Sequence, residues 1–240
     1  MNKIKKFYYC LKNLGFYKAY LNGVSPLFEL SNLIKQINKA NTLIDVGSNK
    51  GQFCLLAKNF FPYIKIFSFE PQLDELTTQK KILGKNKIKY YNLALGNEEK
   101  IVNFHVTERK DSSSILKPNN LIDKNKNYNL SKILKIRIQK LDDILSNKEI
   151  VRPSILKLDV QGYELEVLKG SSKILDCIDY IITEVSFIKI YDNQVSNSDL
   201  TNFLISKNFR LKSKCNLSRY NKKLFQEDIL FEKISSIKNY

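Results

Sequence analysis

A short turn, DVGSNKG at residues 45–51, contains residue types that hold small ligands. It follows an apolar run, and a helical pattern begins directly after it. Gly47 lets a backbone approach a ligand, Asn49 tolerates a left-handed conformation, and Gly51 opens the helix. In open α/β sheets, ligands bind beyond the carboxyl ends of the strands, where helix N-termini present unpaired N–H groups and a positive dipole end. The turn is therefore a candidate ligand site; the alternative for Asp45 is that it only caps the turn.

Two common nucleotide-binding motifs do not fit this turn. The dinucleotide pattern G-x-G-x-x-G would need glycines where Asn49 and Gln52 stand. A P-loop would need Lys and Ser or Thr where Phe53 and Cys54 stand. The next strand-like run ends in FSFEP, which places Glu70 at a neighbouring strand end. A carboxylate there can accept hydrogen bonds from both hydroxyls of a ribose, so the two features together favour a ligand that contains one.

Strand and helix patterns alternate after residue 41. The predicted strands are 42–46, 64–69, 88–95, 154–160, 180–187, 209–214 and 228–232, and the predicted helices are 51–59, 73–83, 163–175 and 198–207. Such alternation implies βαβ units with right-handed crossovers. The predicted fold class is α/β, with a Rossmann-like, doubly wound, mostly parallel seven-stranded sheet. Residues 1–40 are predicted to be an N-terminal helical extension, and residues 41–240 to be the main domain.

Two segments interrupt this alternation. Residues 97–116 predict an inserted hairpin, whose polar loop contains Ser112, Ser113 and Ser114. This loop either closes over the hydroxyls of a ligand or is a plain solvated turn. The Asn/Lys-rich run at residues 117–132 predicts an exposed connection.

Composition narrows the possible partners. The net charge is +16, from 40 Lys+Arg against 24 Asp+Glu, but the lysines are scattered and form no basic stripe. We interpret the charge as a solvated surface and do not expect nucleic acid as the partner. The four cysteines lie far apart without a CxxC pair, so no metal site is predicted and a reducing compartment fits. The sequence shows neither a signal-peptide pattern nor a run of ~18 apolar residues, so we expect a cytoplasmic protein.

Several motifs resemble one family. The stretch ILKLDVQGYELEVLKG at residues 155–170 resembles the D-V-[EQ]-G-x-E-x-x-V-L-x-G signature of FkbM-type methyltransferases, and DVGSNKG resembles motif I of class I methyltransferases. Further family-like segments follow in order, namely NLALGN, DSSSIL, KLDDIL, ITEVSF and QEDILFE. The resemblance covers residues 42–232 and implies an enzyme that uses S-adenosylmethionine as its cofactor.

The family pattern also implies where the cofactor binds. The turn after the first strand would hold its methionyl part, Glu70 its ribose, and Ala94 and Leu95 its adenine. The expected cofactor-binding residues are Asp45, Gly47, Ser48, Asn49, Gly51, Phe53, Glu70, Ala94, Leu95 and Asp159.

Asp159 is the first candidate for catalysis, because it ends the fourth parallel strand, the position nearest the transferable methyl in related folds. Methyl transfer from a sulfonium is an in-line displacement, so the protein mainly aligns the acceptor oxygen and removes its proton. Glu184 and Glu164 are rival bases; alternatively, Glu184 is an ion-pair partner and Glu164 complements a helix dipole. Gln161 replaces an acid of many family members, which removes one candidate base or metal ligand. For His105, the only histidine, we favour a surface or packing role.

These features predict an O-methyltransferase that acts on a hydroxyl of a sugar, glycan or related polyol. An RNA or other nucleic-acid methyltransferase is one alternative, favoured by the net charge but lacking a [DN]-P-P-[YFW] motif. The other is a non-catalytic binding module in a glycan-assembly complex, which has no reason to retain the cofactor residues. Residues 1–20 form an amphipathic pattern, with Ile4, Phe7, Tyr8, Leu11 and Leu14 near one face and lysines elsewhere. This segment either packs on the core or lies on an anionic membrane at its inner face.

Overall fold

The computed structural model describes residues 7–8, 10–11, 13–119, 128–220 and 223–234. Its strands are β1 (Thr42–Val46), β2 (Lys65–Phe69), β3 (Ile88–Tyr91), β4 (Ala94–Leu95), β5 (Lys100–Thr107), β6 (Leu130–Gln139), β7 (Ser154–Leu158), β8 (Tyr180–Ser186), β9 (Phe209–Cys215), β10 (Arg219–Tyr220), β11 (Lys223–Leu224) and β12 (Gln226–Lys233). Its α-helices are α1 (Leu14–Leu21), α2 (Ser31–Ile34), α3 (Gln52–Phe60), α4 (Leu73–Leu83), α5 (Leu141–Ile144), α6 (Glu164–Lys169) and α7 (Asn197–Ser206).

A seven-stranded sheet, in the order β3-β2-β1-β7-β8-β12-β9, forms the centre of the molecule. The pairs β1/β2, β1/β7, β2/β3 and β7/β8 are parallel, and β12 runs antiparallel to both β8 and β9. The predicted fold class is therefore confirmed. Because β1 and β7 are central neighbours, with Asp45 opposite Lys157, the chain segments that follow both strands meet at one edge of the sheet.

The central strands are apolar because helices cover the sheet on both faces. Every residue of β1 and of β7 is buried. Successive side chains point to opposite faces, so Ile44 and Val46 join one apolar cluster while Leu43 joins another. Strands buried on both faces are continuous hydrophobic runs, which explains why the sequence pattern located them well.

The inserted hairpin is present, but it is wider than predicted. Strand β5 pairs antiparallel with β6, which begins only at Leu130, and not with a strand inside residues 97–116. The predicted third strand at 88–95 divides into β3 in the main sheet and β4, which pairs with β6 in a separate three-stranded sheet. The predicted exposed connection at 117–132 lies partly outside the described residues.

The described part of residues 1–40 packs onto the main domain. Cys10, Phe16 and Ala19 are buried with Leu55 of α3 and Ile82 of α4. Residues around α2 join the core beside β1. Ile4, Lys3, Lys5, Lys6 and Lys12, which the membrane hypothesis names, lie outside the described residues. No helix among the residues described has the length and apolar character needed to span a membrane.

Candidate functional site

A cavity opens at the carboxyl ends of β1, β2 and β7, the edge of the sheet where the sequence predicted a ligand site. We call it the central cavity. The space between its walls, with the open solvent at its mouth included, is about 790 Å³. The turn after β1, the end of β2 and strand β4 contribute one part of its wall, and the segment 110–115 after β5 contributes another.

The structure brings most of the predicted cofactor-binding residues together around this cavity. Those that line it are Gly47, Ser48, Asn49, Phe53, Glu70, Ala94, Leu95 and Asp159. Asp45 and Gly51 do not line it. Asp45 is fully buried, with its Oδ2 3.1 Å from the thiol of Cys54. Gly51 lies against the side chains of Gln79 and Leu83.

Glu70 is held by the backbone around it. Its Oε2 accepts a hydrogen bond from the N–H of Asn49 at 2.8 Å, and its Oε1 accepts one from the N–H of Gln72 at 2.8 Å. Burial raises the pKa of the Glu70 carboxyl to about 7, against the effect of these two donors. Each carboxylate oxygen retains capacity for a second hydrogen bond, so Glu70 can still accept donors from a ligand.

Gly47 is required by a contact within the protein. Its φ is +72°, and a Cβ at this position would lie 2.0 Å from the backbone oxygen of Asp159. The sequence analysis expected the glycine to admit a ligand, whereas its close neighbour is the turn that follows β7. Asn49, at φ 48°, has the left-handed conformation that was predicted.

Lys157 is a site residue that the sequence analysis missed. Its Nζ lies 3.2 Å from Oδ2 of Asp159 and 3.6 Å from Oδ1 of Asp45, and only 5% of its side chain is exposed. Burial alone would lower the pKa of this lysine, but the carboxylates of Asp159 and Asp45 outweigh it and raise the pKa. The feature of the sequence that could have indicated Lys157 is its place inside an apolar strand, two residues before Asp159.

Asp159 is oriented from both sides. Lys157 contacts its Oδ2, and Nε2 of Gln161 donates to its Oδ1 at 2.7 Å. Gln161 adopts a positive φ of 55°, and its Oε1 lies 2.8 Å from the hydroxyl of Tyr191. A third of the Asp159 side chain remains exposed, at 33%. The carboxylate is thus fixed in place yet accessible.

A second cavity, which we call the adjoining cleft, shares Leu27, Asp111, Lys157 and Asp159 with the central cavity. Its other polar lining residues are Glu29, Arg109, Ser112, Tyr128, Gln161, Thr183, Glu184, Asn216, Ser218, Gln226 and Asp228. Asp159 therefore borders both spaces, as a group that acts between two bound molecules must.

The two rival carboxylates lie in different places. Glu184 lines the adjoining cleft, where Nε2 of Gln226 donates to it, and burial with nearby carboxylates raises its pKa well above the usual value. Glu164 lines neither cavity. Its Oε1 accepts backbone N–H groups of Val160 at 3.3 Å and Gly162 at 3.1 Å, which holds the turn after β7. Burial raises the pKa of Glu164 to about 7.

The serine-rich segment is buried, so it is not a solvated turn. The hydroxyl of Ser113 accepts the N–H of Thr107 at 3.1 Å, and that of Ser114 donates to the carbonyl of Gln161 at 2.8 Å. His105 lines neither cavity, and its Nδ1 lies 3.1 Å from a backbone carbonyl. Across the described ranges, no group of three or more His, Cys, Asp or Glu side chains is arranged to hold a metal ion.

Comparisons with known proteins agree on one kind of domain. Residues 45–211 match the model of the Methyltransferase FkbM domain. Methyltransferase 1 of Beauveria bassiana is 25% identical over 158 residues, which are 60% of this chain and 64% of that protein. The 2-O-methyltransferase NoeI of Sinorhizobium fredii is 23% identical over 161 residues, 64% of this chain and 66% of that protein. The hexuronic acid methyltransferase AglP of Haloferax volcanii is 24% identical over 169 residues, which are 69% of this chain and 63% of that protein. The matched region is slightly less than two thirds of each relative.

Proposed function

This chain belongs to the FkbM methyltransferase family, and on that premise we propose that it transfers the methyl group of S-adenosylmethionine to a hydroxyl of a sugar or glycan. The predicted family is confirmed, and with it the methyltransferase class and its cofactor, S-adenosylmethionine. The observation that supports the reaction best is the position of Asp159, whose carboxylate borders two cavities at once. One cavity fits the cofactor and the other is open to an acceptor.

The residues around the central cavity fit this cofactor. The carboxylate of Glu70 lines the cavity and suits the two hydroxyls of the ribose. Ala94, Leu95 and Phe69 provide apolar surface for the adenine. The turn from Gly47 to Asn49, before α3, lies where the methionyl part belongs. When bound, the cofactor would supply an electrophilic methyl group on a sulfonium, with neutral S-adenosylhomocysteine as the leaving group.

Asp159 has the position required of the base that takes the proton of the acceptor hydroxyl. A general base must lie within hydrogen-bond reach of the proton it removes. Asp159 and Asp111 both line the two cavities, but Asp111 is paired with Arg109, whereas Asp159 follows β7 directly at the edge of the sheet. Lys157 and Gln161 act through it as positioning residues, because they contact its two oxygens. Glu184, which also lines the adjoining cleft, is the alternative base.

The adjoining cleft suits a polyhydroxylated acceptor. Side chains that both donate and accept hydrogen bonds line it, among them Ser112, Tyr128, Asn216 and Gln226. Two relatives have names that specify a 2-O-methyltransferase and a hexuronic acid methyltransferase, which supports a sugar as the acceptor class. Among the described residues of this lining, Tyr128 is the one aromatic side chain and acidic residues outnumber cations. This differs from the basic groove with stacking side chains that binds nucleic acid, so RNA is the weaker alternative.

Calorimetry and methyl-transfer assays test this proposal together. The protein should bind S-adenosylhomocysteine, and radiolabelled methyl from S-adenosylmethionine should appear on sugar glycosides. Asp159→Asn should lower turnover by ~10²-fold or more while the dissociation constant of S-adenosylhomocysteine changes little. Asp176→Asn is the control, because that carboxylate is 81% exposed and outside both cavities.

Three results would argue against parts of the proposal. Absence of binding heat at millimolar S-adenosylhomocysteine would favour a non-catalytic binding module. Transfer to RNA but to no sugar would favour the nucleic-acid alternative. Near-normal turnover of Asp159→Asn on a confirmed acceptor would assign the base to Glu184.

A further inference from the structure

Among the described residues, the charge of the adjoining cleft is opposite to that of the whole protein. The charged side chains in this part of its lining are five acidic residues and two cations: Glu29, Asp111, Asp159, Glu184 and Asp228, with Arg109 and Lys157. The chain as a whole has a net charge of +16. We infer that this cleft selects a sugar without negative charge, either neutral or amino-substituted, and rejects uronic acids and phosphorylated sugars. The inference rests on the proposed function and narrows its acceptor class.

Both cations of the cleft are already paired. Nε of Arg109 lies 2.7 Å from Oδ1 of Asp111. Nζ of Lys157 lies between the carboxylates of Asp159 and Asp45. Neither cation is therefore available to an incoming carboxylate or phosphate unless an existing ion pair breaks. Recognition of anionic sugars normally uses such cations, because Arg and Lys form charge-assisted hydrogen bonds with carboxylates and phosphates.

Two carboxylates of the cleft lack a cation. Glu184 and Asp228 are direct cross-strand neighbours on the antiparallel pair β8 and β12. Amides provide their hydrogen bonds, Gln226 to Glu184 and Asn216 to Asp228, the latter at 2.7 Å. Within the part of the chain that the structure describes, neither forms an ion pair. Burial and neighbouring carboxylates raise the pKa of Glu184 well above its usual value, and burial raises that of Asp228 to about 6, so the negative charge of the pair is carried by Asp228. A ligand that donates hydrogen bonds or a positive charge here would compensate this charge.

The ionised carboxylates of the cleft, Asp228 among them, would repel an anionic acceptor. Hydroxyl and ammonium groups can donate to them, whereas a carboxylate or phosphate on the acceptor adds negative charge. Repulsion between like charges is strong in a partly buried cleft, where the effective dielectric constant is far below that of water. Uncompensated like charge is a recognised way to exclude a wrong partner. The scattered surface lysines do not alter this, because solvent and salt screen them from the cleft.

A matched panel of acceptors tests the inference. The p-nitrophenyl glycosides of a neutral hexose, the corresponding amino sugar and the corresponding uronic acid would be compared in the gluco, galacto and manno series, with radiolabelled S-adenosylmethionine. Burial raises the pKa of Asp228 to about 6, so an assay at about pH 8 keeps this carboxylate ionised. Within the series that is methylated, kcat/KM for the neutral or amino sugar should exceed that for the uronic acid by at least about tenfold.

A variant that neutralises Asp228, compared with a matched control, tests whether this charge causes the preference for sugars without negative charge. Asp228→Asn keeps a hydrogen-bond acceptor for Asn216 and removes one charge, so the ratio of neutral to uronic kcat/KM should fall several-fold. Glu232→Gln is the matched control. It removes a carboxylate from the far end of the same strand, where Glu232 pairs with Arg210 outside the cleft, and it should leave the ratio unchanged. If Asp228→Asn does not fold, as judged by thermal melting, Asp228→Ser, which removes the same charge, replaces it.

The outcomes separate this inference from the proposed function. Equal or better use of the uronic acid would overturn the inference alone, and so would an unchanged ratio in a folded Asp228→Asn or Asp228→Ser variant. If S-adenosylhomocysteine binds but none of the sugars is methylated, the proposed function fails and the inference fails with it.

Discussion

Glu70 is a buried carboxylate whose ionisation is coupled to what it binds. Burial raises its pKa to about 7 from an ordinary 4.5, so the free protein holds part of this carboxyl in its neutral form at neutral pH. Because the folded pKa is raised, the contribution of Glu70 to stability is complete below the ordinary pKa and is lost as the pH rises through about 7. Hydrogen-bond donors of a bound ligand would lower the pKa of Glu70 again, since they favour the ionised carboxylate.

We therefore expect the affinity for S-adenosylhomocysteine to depend on pH. Ribose hydroxyls that donate to Glu70 should lower its pKa, so the affinity for S-adenosylhomocysteine should increase as the pH rises through about 7, with release of a proton. Glu70→Gln should weaken binding by about 1–3 kcal/mol and remove this pH dependence. Calorimetry in buffers of different ionisation enthalpy measures both effects. An affinity that is equally pH-dependent in Glu70→Gln would place the ribose elsewhere.

The sequence pattern predicted Glu70 as a site residue but did not predict Lys157. The run FSFEP ends in an acid directly after an apolar strand, so Glu70 was visible as a site residue. Lys157 lies in a strand whose every position is buried, and such a strand shows no alternation for a lysine to interrupt. Its partner Asp45 is far away in sequence and becomes a neighbour only through the register of β1 and β7. The contact between Lys157 and Asp45 therefore could not be predicted without the pairing of these two strands.

At the scale of elements, locally encoded structure was predicted and non-local pairing was not. Helix α4 and strand β1 have the predicted bounds, because periodicity and continuous burial specify both. Strand β6 was missed. Most of its residues are not buried, and its antiparallel partner β5 precedes it by a long connection, so neither hydrophobic pattern nor turn length pointed to the pairing.

Close contact between the ends of β1 and β7 leads to a prediction about two glycines. Gly47 and Gly23 both have φ +72°, but a Cβ at Gly47 meets the oxygen of Asp159 at 2.0 Å, whereas one at Gly23 meets nothing within 4 Å. Gly23→Ala should cost roughly 1–2 kcal/mol of unfolding free energy, from the left-handed backbone alone. Gly47→Ala should cost about 1–3 kcal/mol more, because the two turns must separate.

Urea unfolding and S-adenosylhomocysteine binding measure this comparison. Gly47→Ala should also weaken binding, since the turn and Asp159 both line the central cavity. Gly23→Ala should not change the dissociation constant. Equal losses of stability in the two variants would show that strain of the backbone, and not the contact with Asp159, requires glycine at position 47.

For the whole molecule, net charge is a poor guide to the site. The value of +16 belongs to a chain with scattered lysines, whereas acidic residues outnumber cations among the described residues that line the cleft beside Asp159. Composition could not predict a cleft of opposite sign, because its acidic residues come from distant parts of the chain. They include Glu29 before α2, Asp111 after β5 and Asp228 on β12.

The N-terminal segment remains a candidate for contact with an anionic membrane. Cys10 and Phe16 pack on the main domain, while Tyr8 and Leu11 are 55% and 52% exposed. An exposed apolar surface beside lysines suits the interface of a membrane, where each lysine contributes about 1 kcal/mol, screened by salt. Deleting residues 1–20 would also remove packed side chains, so substitution of exposed residues is the sharper test.

The last prediction compares two exposed apolar pairs. Tyr8→Glu with Leu11→Glu should abolish co-sedimentation with anionic vesicles at low salt, because it adds negative charge and removes apolar surface where the membrane would bind. Leu130→Glu with Ile133→Glu makes the same change on β6, where both residues are about half exposed, and should leave sedimentation intact. Thermal melting and S-adenosylhomocysteine binding would verify that both proteins stay folded. If wild type and both variants sediment alike, or if high salt does not weaken sedimentation of the wild type, the segment serves only to pack against α3 and α4.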